Sequence, residues 1–151
     1  MVIGRLAEAV EHFRIGRSDE AEKLCSNLCA TYPQEARSWN LLGLFRFQHG
    51  DLGNAIQFLE KAATLAPDIP NFQANLGSVL LEVQRPKEAW LHFGRALKLQ
   101  PENAETHYKL GLALVALGDH AGAKGAFRTA LSRQPRFPHA IEALKNLPAG
   151  P

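Results

Sequence analysis

Six histidines and two cysteines are the residues of this chain best suited to metal, acid–base or covalent chemistry. The histidines stand at 12, 49, 92, 107, 120 and 139. No two are four apart, so no pair can grip one ion from successive turns of a helix. Cys25 and Cys29 are four apart. On a helix that spacing is poor disulfide geometry, and no second ligand pair accompanies it for zinc, so two small buried thiols are expected. No serine or cysteine has a recognisable base nearby in sequence, and no phosphate-binding glycine loop follows a strand. Basic residues do not alternate with aromatics in any run, as nucleic-acid binding would require. The reading is therefore no catalytic residue, no cofactor, no metal and no nucleic acid, which leaves non-covalent recognition by whatever side chains the framework does not use.

That framework is a repeat. Trp39, Leu42-Gly43, Gly50-Asp51, Ala55, Leu59, Ala62 and Pro67 return 34 residues later as Leu76-Gly77, Ala89, Phe93, Ala96 and Pro101. A further 34 residues give Leu110-Gly111, Gly118-Asp119, Ala123, Phe127, Ala130 and Pro135, and one step back gives a weaker copy, Gly16, Ala21, Leu28 and Pro33. Apolar residues recur at helical spacing on both sides of the Gly50 turn, so each unit is two helices. Gly16, Gly50 and Gly118 are placed to close first helices in the left-handed conformation; Gln84 takes that place in the third copy at a cost of roughly 1 kcal/mol. Ser18, Asp51 and Asp119 are expected N-caps of the second helices. Small residues should let the two helices approach, with Gly43 facing Ala55, Gly77 facing Ala89 and Gly111 facing Ala123. The recurring prolines block the second helix and set the turn into the next unit.

This spacing and residue set resembles the tetratricopeptide repeat, with its Trp-x2-Leu-Gly-x2-Tyr, Ala-x3-Phe and Pro positions, over about residues 2–137. The tyrosine position holds Arg46, Leu80 and Leu114, and the tryptophan position Trp39, Gln73 and His107. The resemblance implies an all-α right-handed superhelical solenoid of four helix-turn-helix units, residues 2–35, 36–69, 70–103 and 104–137. First helices are expected over 36–49, 70–83 and 104–117, and second helices over 18–32, 52–66, 86–99 and 120–133. A last helix at 138–147 reads as a cap, because Lys145 fills the position of Gly43, Gly77 and Gly111. Residues 2–147 are taken as one domain and 148–151 as a tail or linker.

In such arrays the first helices line a concave groove in which ligand peptides lie. The resemblance places Arg37, Asn40, Leu41, Leu44 and Phe47 there from the second unit, and Asn71, Asn75, Ser78, Leu81 and Glu82 from the third. Glu105, Tyr108, Lys109, Leu112 and Val115 follow from the fourth. Asparagine amides can both donate to and accept from an extended backbone, while Leu44, Phe47 and Tyr108 supply apolar anchors. The carboxylate clamp of chaperone-binding arrays does not fit: Leu6 and Val10 replace its first polar groups, and Glu105 would repel a carboxylate. The asparagine ladder of arrays that precede O-linked N-acetylglucosamine transferases has one rung, Asn75, flanked by Leu41 and Lys109.

The ends differ from the middle. In the first helix Arg5, Glu8 and His12 hold the positions of Trp39, Leu42 and Arg46, while Ile3, Leu6, Val10 and Phe13 form a stripe at helical spacing. Either this helix is rotated and the stripe is its core face, or the polar residues are a solvated end and the stripe faces the groove. That stripe is also the candidate surface for self-association. The net charge of +2 conceals a gradient, from −2 over residues 2–35 to +3 over 104–137. No apolar run reaches the roughly 18 residues of a membrane span, and the first residues do not read as a signal peptide, so a cytoplasmic protein with no membrane partner is expected. The function expected is a non-catalytic scaffold that binds a peptide or partner helix. The alternatives are the substrate-recruiting N-terminal portion of a larger transferase, of glycosyltransferase or sulfotransferase type, and a self-assembling adaptor.

Overall fold

The computed structural model describes residues 1–149; Gly150 and Pro151, half of the expected tail, lie outside the described residues. The chain divides into two compact units, Met1–Pro67 and Asp68–Pro151. Among the described residues the secondary structure is entirely helical.

The first unit contains α1 (Val2–Arg14), α2 (Ser18–Thr31), α3 (Ala36–Gln48) and α4 (Leu52–Leu65). The second contains α5 (Pro70–Glu82), α6 (Pro86–Leu99), α7 (Ala104–Ala116), α8 (His120–Arg133) and α9 (Pro138–Asn146). Every expected helix is present to within a residue or two.

The turns inside the hairpins follow the sequence closely. Gly16, Gly50 and Gly118 adopt φ of 81°, 75° and 80°, and Gln84 is forced to φ 60° at the same place. Each turn closes with two backbone bonds, such as Asp51 N–H to the Arg46 carbonyl (2.9 Å) and Gly50 N–H to that of Phe47 (3.0 Å). This is the Schellman closure, which satisfies carbonyls that the helix end would otherwise strand. Asp51 and Asp119 then cap the second helices, accepting from the backbone N–H of Asn54 (3.3 Å) and Gly122 (2.9 Å). Ser18 does not: it is the first residue of α2, and Arg17 holds the capping position with no side-chain bond. Arg17, not Ser18, is the residue 34 before Asp51, so the expectation was one residue out of register.

Between repeats, Tyr32, Ala66, Gln100 and Gln134 each end a helix with φ between −128° and −138° and ψ between 70° and 88°. Each precedes a proline, whose ring clashes with an α-helical residue before it. Trp39 locks one such turn by donating its indole N–H to the Pro33 carbonyl (2.9 Å). His107, at the same position two repeats on, places Nε2 2.8 Å from the Pro101 carbonyl.

The recurring alanines Ala21, Ala55, Ala89 and Ala123 are all fully buried. They are not, however, the residues that the glycines face. A Cβ added to Gly43 would meet Leu59, one on Gly77 would meet Phe93, and one on Gly111 would meet Phe127. The reason is antiparallel geometry: residues equally far from the turn share a level, and 43 and 59 each lie eight from Asp51. In the first repeat that level pairs Ala9 with Cys25, both buried in one core with Cys29, Leu42 and Phe45. A smaller residue on α2 there leaves room for alanine instead of glycine on α1.

Neither reading of the first helix is right in full. Leu6 and Ala9 are buried, and Phe13 packs on Phe45 with ring centroids 5.0 Å apart, but Ile3 and Val10 are 71% and 51% exposed. Ala9 keeps the small-residue position, so α1 is not rotated. At about 100° per residue the stripe straddles the edge of the buried face: Leu6 and Phe13 fall inside it, and Ile3 and Val10 outside. Of the four residues proposed for self-association, only Ile3 and Val10 remain fully available to a partner.

Candidate functional site

The candidate groove residues occupy matching places along three first helices. Arg37, Asn40, Leu44 and Phe47 run along α3, Asn71, Asn75 and Ser78 along α5, and Glu105, Tyr108, Lys109 and Leu112 along α7. Within each helix the spacings of three, four and seven keep them on one side. Arg37, Asn71 and Glu105 are exposed and the others half-buried; none is taken into the core. The residues beside them are: Ser38, Leu42, Gly43 and Phe45 on α3, and Gln73, Leu76, Gly77 and Leu80 on α5, are all buried.

Local contacts narrow what several of these side chains can offer. The Ser78 hydroxyl donates to the Ala74 carbonyl one turn back (2.9 Å), so its donor is used within the helix. Lys109 pairs with Glu105 across one turn at 2.9 Å. Leu41 packs against the core of the first unit. Arg46, in the tyrosine position, reaches across to Glu22 on α2 and lies 3.7 Å from Asp51, tying the first hairpin to the second.

Tyr108 is more engaged than a free anchor. Its ring lies 5.8 Å from Phe127, 5.1 Å from Phe137 and 6.1 Å from His139, and Phe137 and His139 meet nearly edge-on at 6.0 Å. Burial, and secondarily the Glu142 carboxylate, push its hydroxyl above the usual tyrosine range. Around this cluster a cavity of about 400 Å³ is lined by Glu105, Tyr108, Lys109, Gln134, Phe137 and His139. The sequence reading named the three α7 residues and missed the other three. The arithmetic of the repeat held the signal: His139 is Glu105 plus 34, so one further step along the chain reaches it on α9.

Elsewhere the titratable groups have structural settings. Cys25 and Cys29 are free and buried, with burial pushing their thiols up to about 12 and about 11. His92 on α6 places Nδ1 2.8 Å from Oε1 of the buried Gln73, and burial pulls its pKa down. Among the described residues no cluster of three histidine, cysteine or acidic side chains could hold a metal ion. No helix among them is long and apolar enough to cross a membrane.

Paired antiparallel helices on a 34-residue period, closed by glycine and broken by proline, define an all-α helical-repeat protein. A family model described as tetratricopeptide repeat matches residues 6–70 and 75–141, and this chain belongs to that family. Among curated proteins, General transcription factor 3C polypeptide 3 of Homo sapiens is 26% identical over 129 residues, which cover 85% of this chain and 15% of that protein. The chain spans only 14–22% of the length of the first curated relatives it matches. The crystal structure of MamA superposes with a TM-score of 0.84 at 24% identity, over 90% of this chain and 80% of that one. The first TPR of Spaghetti (RPAP3) bound to HSP90 peptide SRMEEVD does so with 0.73 at 22% identity, over 76% and 90%. At these identities the two structures establish the fold: an all-α superhelical repeat of the tetratricopeptide type.

Proposed function

We propose that this chain is a non-catalytic interaction module that holds a peptide or partner helix against its first-helix faces. Arg37, Asn40, Leu44 and Phe47 serve in the first unit. Asn71, Asn75, Ser78, Glu105, Tyr108, Lys109 and Leu112 serve in the second. One observation carries the reading: the recurring residues are consumed by packing, while the non-recurring ones beside them keep solvent-facing surface. Membership of a family whose repeats suggest a protein-interaction scaffold supports it, as does a fold shared with a domain whose structure holds a peptide. A longer parent protein, in which this portion recruits a substrate or partner, is favoured by the small fraction of its relatives that the chain spans.

The test is affinity capture on the immobilised chain, identification of the retained protein, and repetition with Asn75→Ala and Leu112→Ala combined. Both side chains are only half-buried, so the helical signal should persist. Capture should fall by tenfold or so, about 1.4 kcal/mol. Undiminished capture by the variant, or no specific partner at all, would count against the reading.

A further inference from the structure

The cavity beside Tyr108 has a chemistry of its own. Tyr108, Phe137 and His139 present three rings within 5.1–6.1 Å of one another, and an aromatic face is electron-rich. Glu105 Oε1 takes Lys109, but Glu105 is exposed and no described residue hydrogen-bonds its other oxygen, the Tyr108 hydroxyl or the side-chain amide of Gln134. Glu142 adds a second negative charge near Tyr108. Lys109, the one ammonium in the lining, and Glu105 offset each other, so the surplus negative charge beside the rings is that of Glu142, while Glu105 keeps one oxygen free to accept. What the walls lack is therefore a donor-rich, flat, positively charged group.

Other occupants fit less well. A carboxylate would have to compete with Glu105 for Lys109, and would meet the negative ring faces. A purely apolar side chain would cover the rings but leave the Glu105 oxygen and the Gln134 amide facing it. A lysine ammonium matches the charge, yet it is strongly hydrated and cannot lie flat on a ring. A guanidinium stacks on aromatic faces and offers five donors in one plane.

We propose that this cavity takes the guanidinium of an arginine presented by a partner peptide, stacked on the Tyr108–Phe137–His139 cluster and hydrogen-bonded by Glu105. The assignment rests on the partner-binding reading for its biological meaning but not for its test. The incoming guanidinium binds the second oxygen of Glu105 while the first keeps Lys109, so no existing pair has to break. Gln134 supplies a further acceptor from the end of α8.

The test titrates the full chain with N-acetyl-arginine methylamide, followed by two-dimensional amide NMR, beside the citrulline and glutamate counterparts. Citrulline has the same shape without the charge. The arginine compound should shift the amides of Glu105, Tyr108, Phe137 and His139 saturably, at least about fivefold more tightly than citrulline. Glu105→Gln, at an exposed position that leaves the fold intact, should cut that preference to about twofold or less. Equal responses to arginine and citrulline, a stronger response to glutamate, shifts centred elsewhere, or no saturable shift would each overturn the proposal. Because the probes do not depend on a native partner, the two readings fail separately. Partner capture without arginine-selective shifts removes this site alone, and the converse removes the scaffold reading alone.

Discussion

Gly77 and Phe93 lie at one level of the α5–α6 hairpin, and a Cβ built on Gly77 would sit 2.8 Å from Cε1 of Phe93. Phe93 is fully buried, so its ring has nowhere to swing. Gly77→Leu should therefore lower stability by about 1–3 kcal/mol or more through overpacking. Gly94, on α6, has nothing within 4 Å of where its Cβ would be. Gly94→Ala should raise stability by about 0.5–1 kcal/mol, because only the helix-propensity effect remains. Urea unfolding of both variants checks the pair; midpoints that move in the same direction would refute the packing account.

Gln84 is the one described non-glycine residue with positive φ, at 60°, where the other three hairpins have glycine. Its backbone still makes the Schellman bonds, Arg85 N–H to Leu80 (2.9 Å) and Gln84 N–H to Leu81 (3.1 Å). The cost lies in Cβ crowding, about 1–2 kcal/mol for an ordinary side chain in the left-handed region. Gln84→Gly relieves it but loosens the unfolded chain, so a net gain of roughly 0.5–1 kcal/mol is expected. Thermal unfolding should show a melting temperature a few degrees higher; an unchanged or lower one would mean that the strain at Gln84 does not exceed the entropy that a glycine adds to the unfolded chain.

The helices were legible because helical periodicity, closing glycines and blocking prolines all point to the same boundaries, and a 34-residue period repeats the message. Which residue opposes which glycine was not legible from composition alone. It needed the antiparallel rule, under which Gly43 pairs with Leu59 and leaves Ala55 at the level of residue 47. The first helix misled because Ile3 and Val10 share a stripe with Leu6 and Phe13 on paper, yet a turn of some 40–60° separates core from solvent. The α7 half of the cavity was visible as variable positions on a repeated face. Gln134 and Phe137 come from the turn into α9, whose backbone repeats while its side chains do not: one unit back the same places hold Gln100 and Asn103, so nothing in the pattern marks them as cavity walls.

Cys25 and Cys29 test the core of the first hairpin directly. Both are buried, and their thiols are raised to about 12 and about 11, in each case mainly by burial. Only the thiolate reacts, so at neutral pH both are suppressed by burial and by protonation together. A disulfide-exchange reagent should modify them slowly in the folded chain, at a rate that tracks opening of the α1–α2 hairpin, and rapidly in urea. Ala9→Gly, which thins the same level of the hairpin, should speed modification of Cys25. Immediate reaction of either thiol in the native protein would contradict the buried core described above.

His92 couples stability to pH through its bond to Gln73. The imidazole is half-buried on α6 with Nδ1 2.8 Å from Gln73 Oε1; burial first, then Arg95, lowers its pKa, and Glu88 opposes them. The unfolded chain therefore takes up a proton at a pH where the folded chain does not. Stability rises with pH wherever the unfolded state binds more protons. The contribution is thus fully present above the ordinary histidine value of about 6.5, falls as pH drops below it, and stops falling once the folded-state value is passed. His92→Gln keeps an amide donor toward Gln73 but cannot titrate. Between about pH 5 and 7 the urea midpoint of the natural chain should decline more steeply than that of the variant. Parallel curves would show that the proton on His92 is indifferent to folding, and that its burial is too slight to matter.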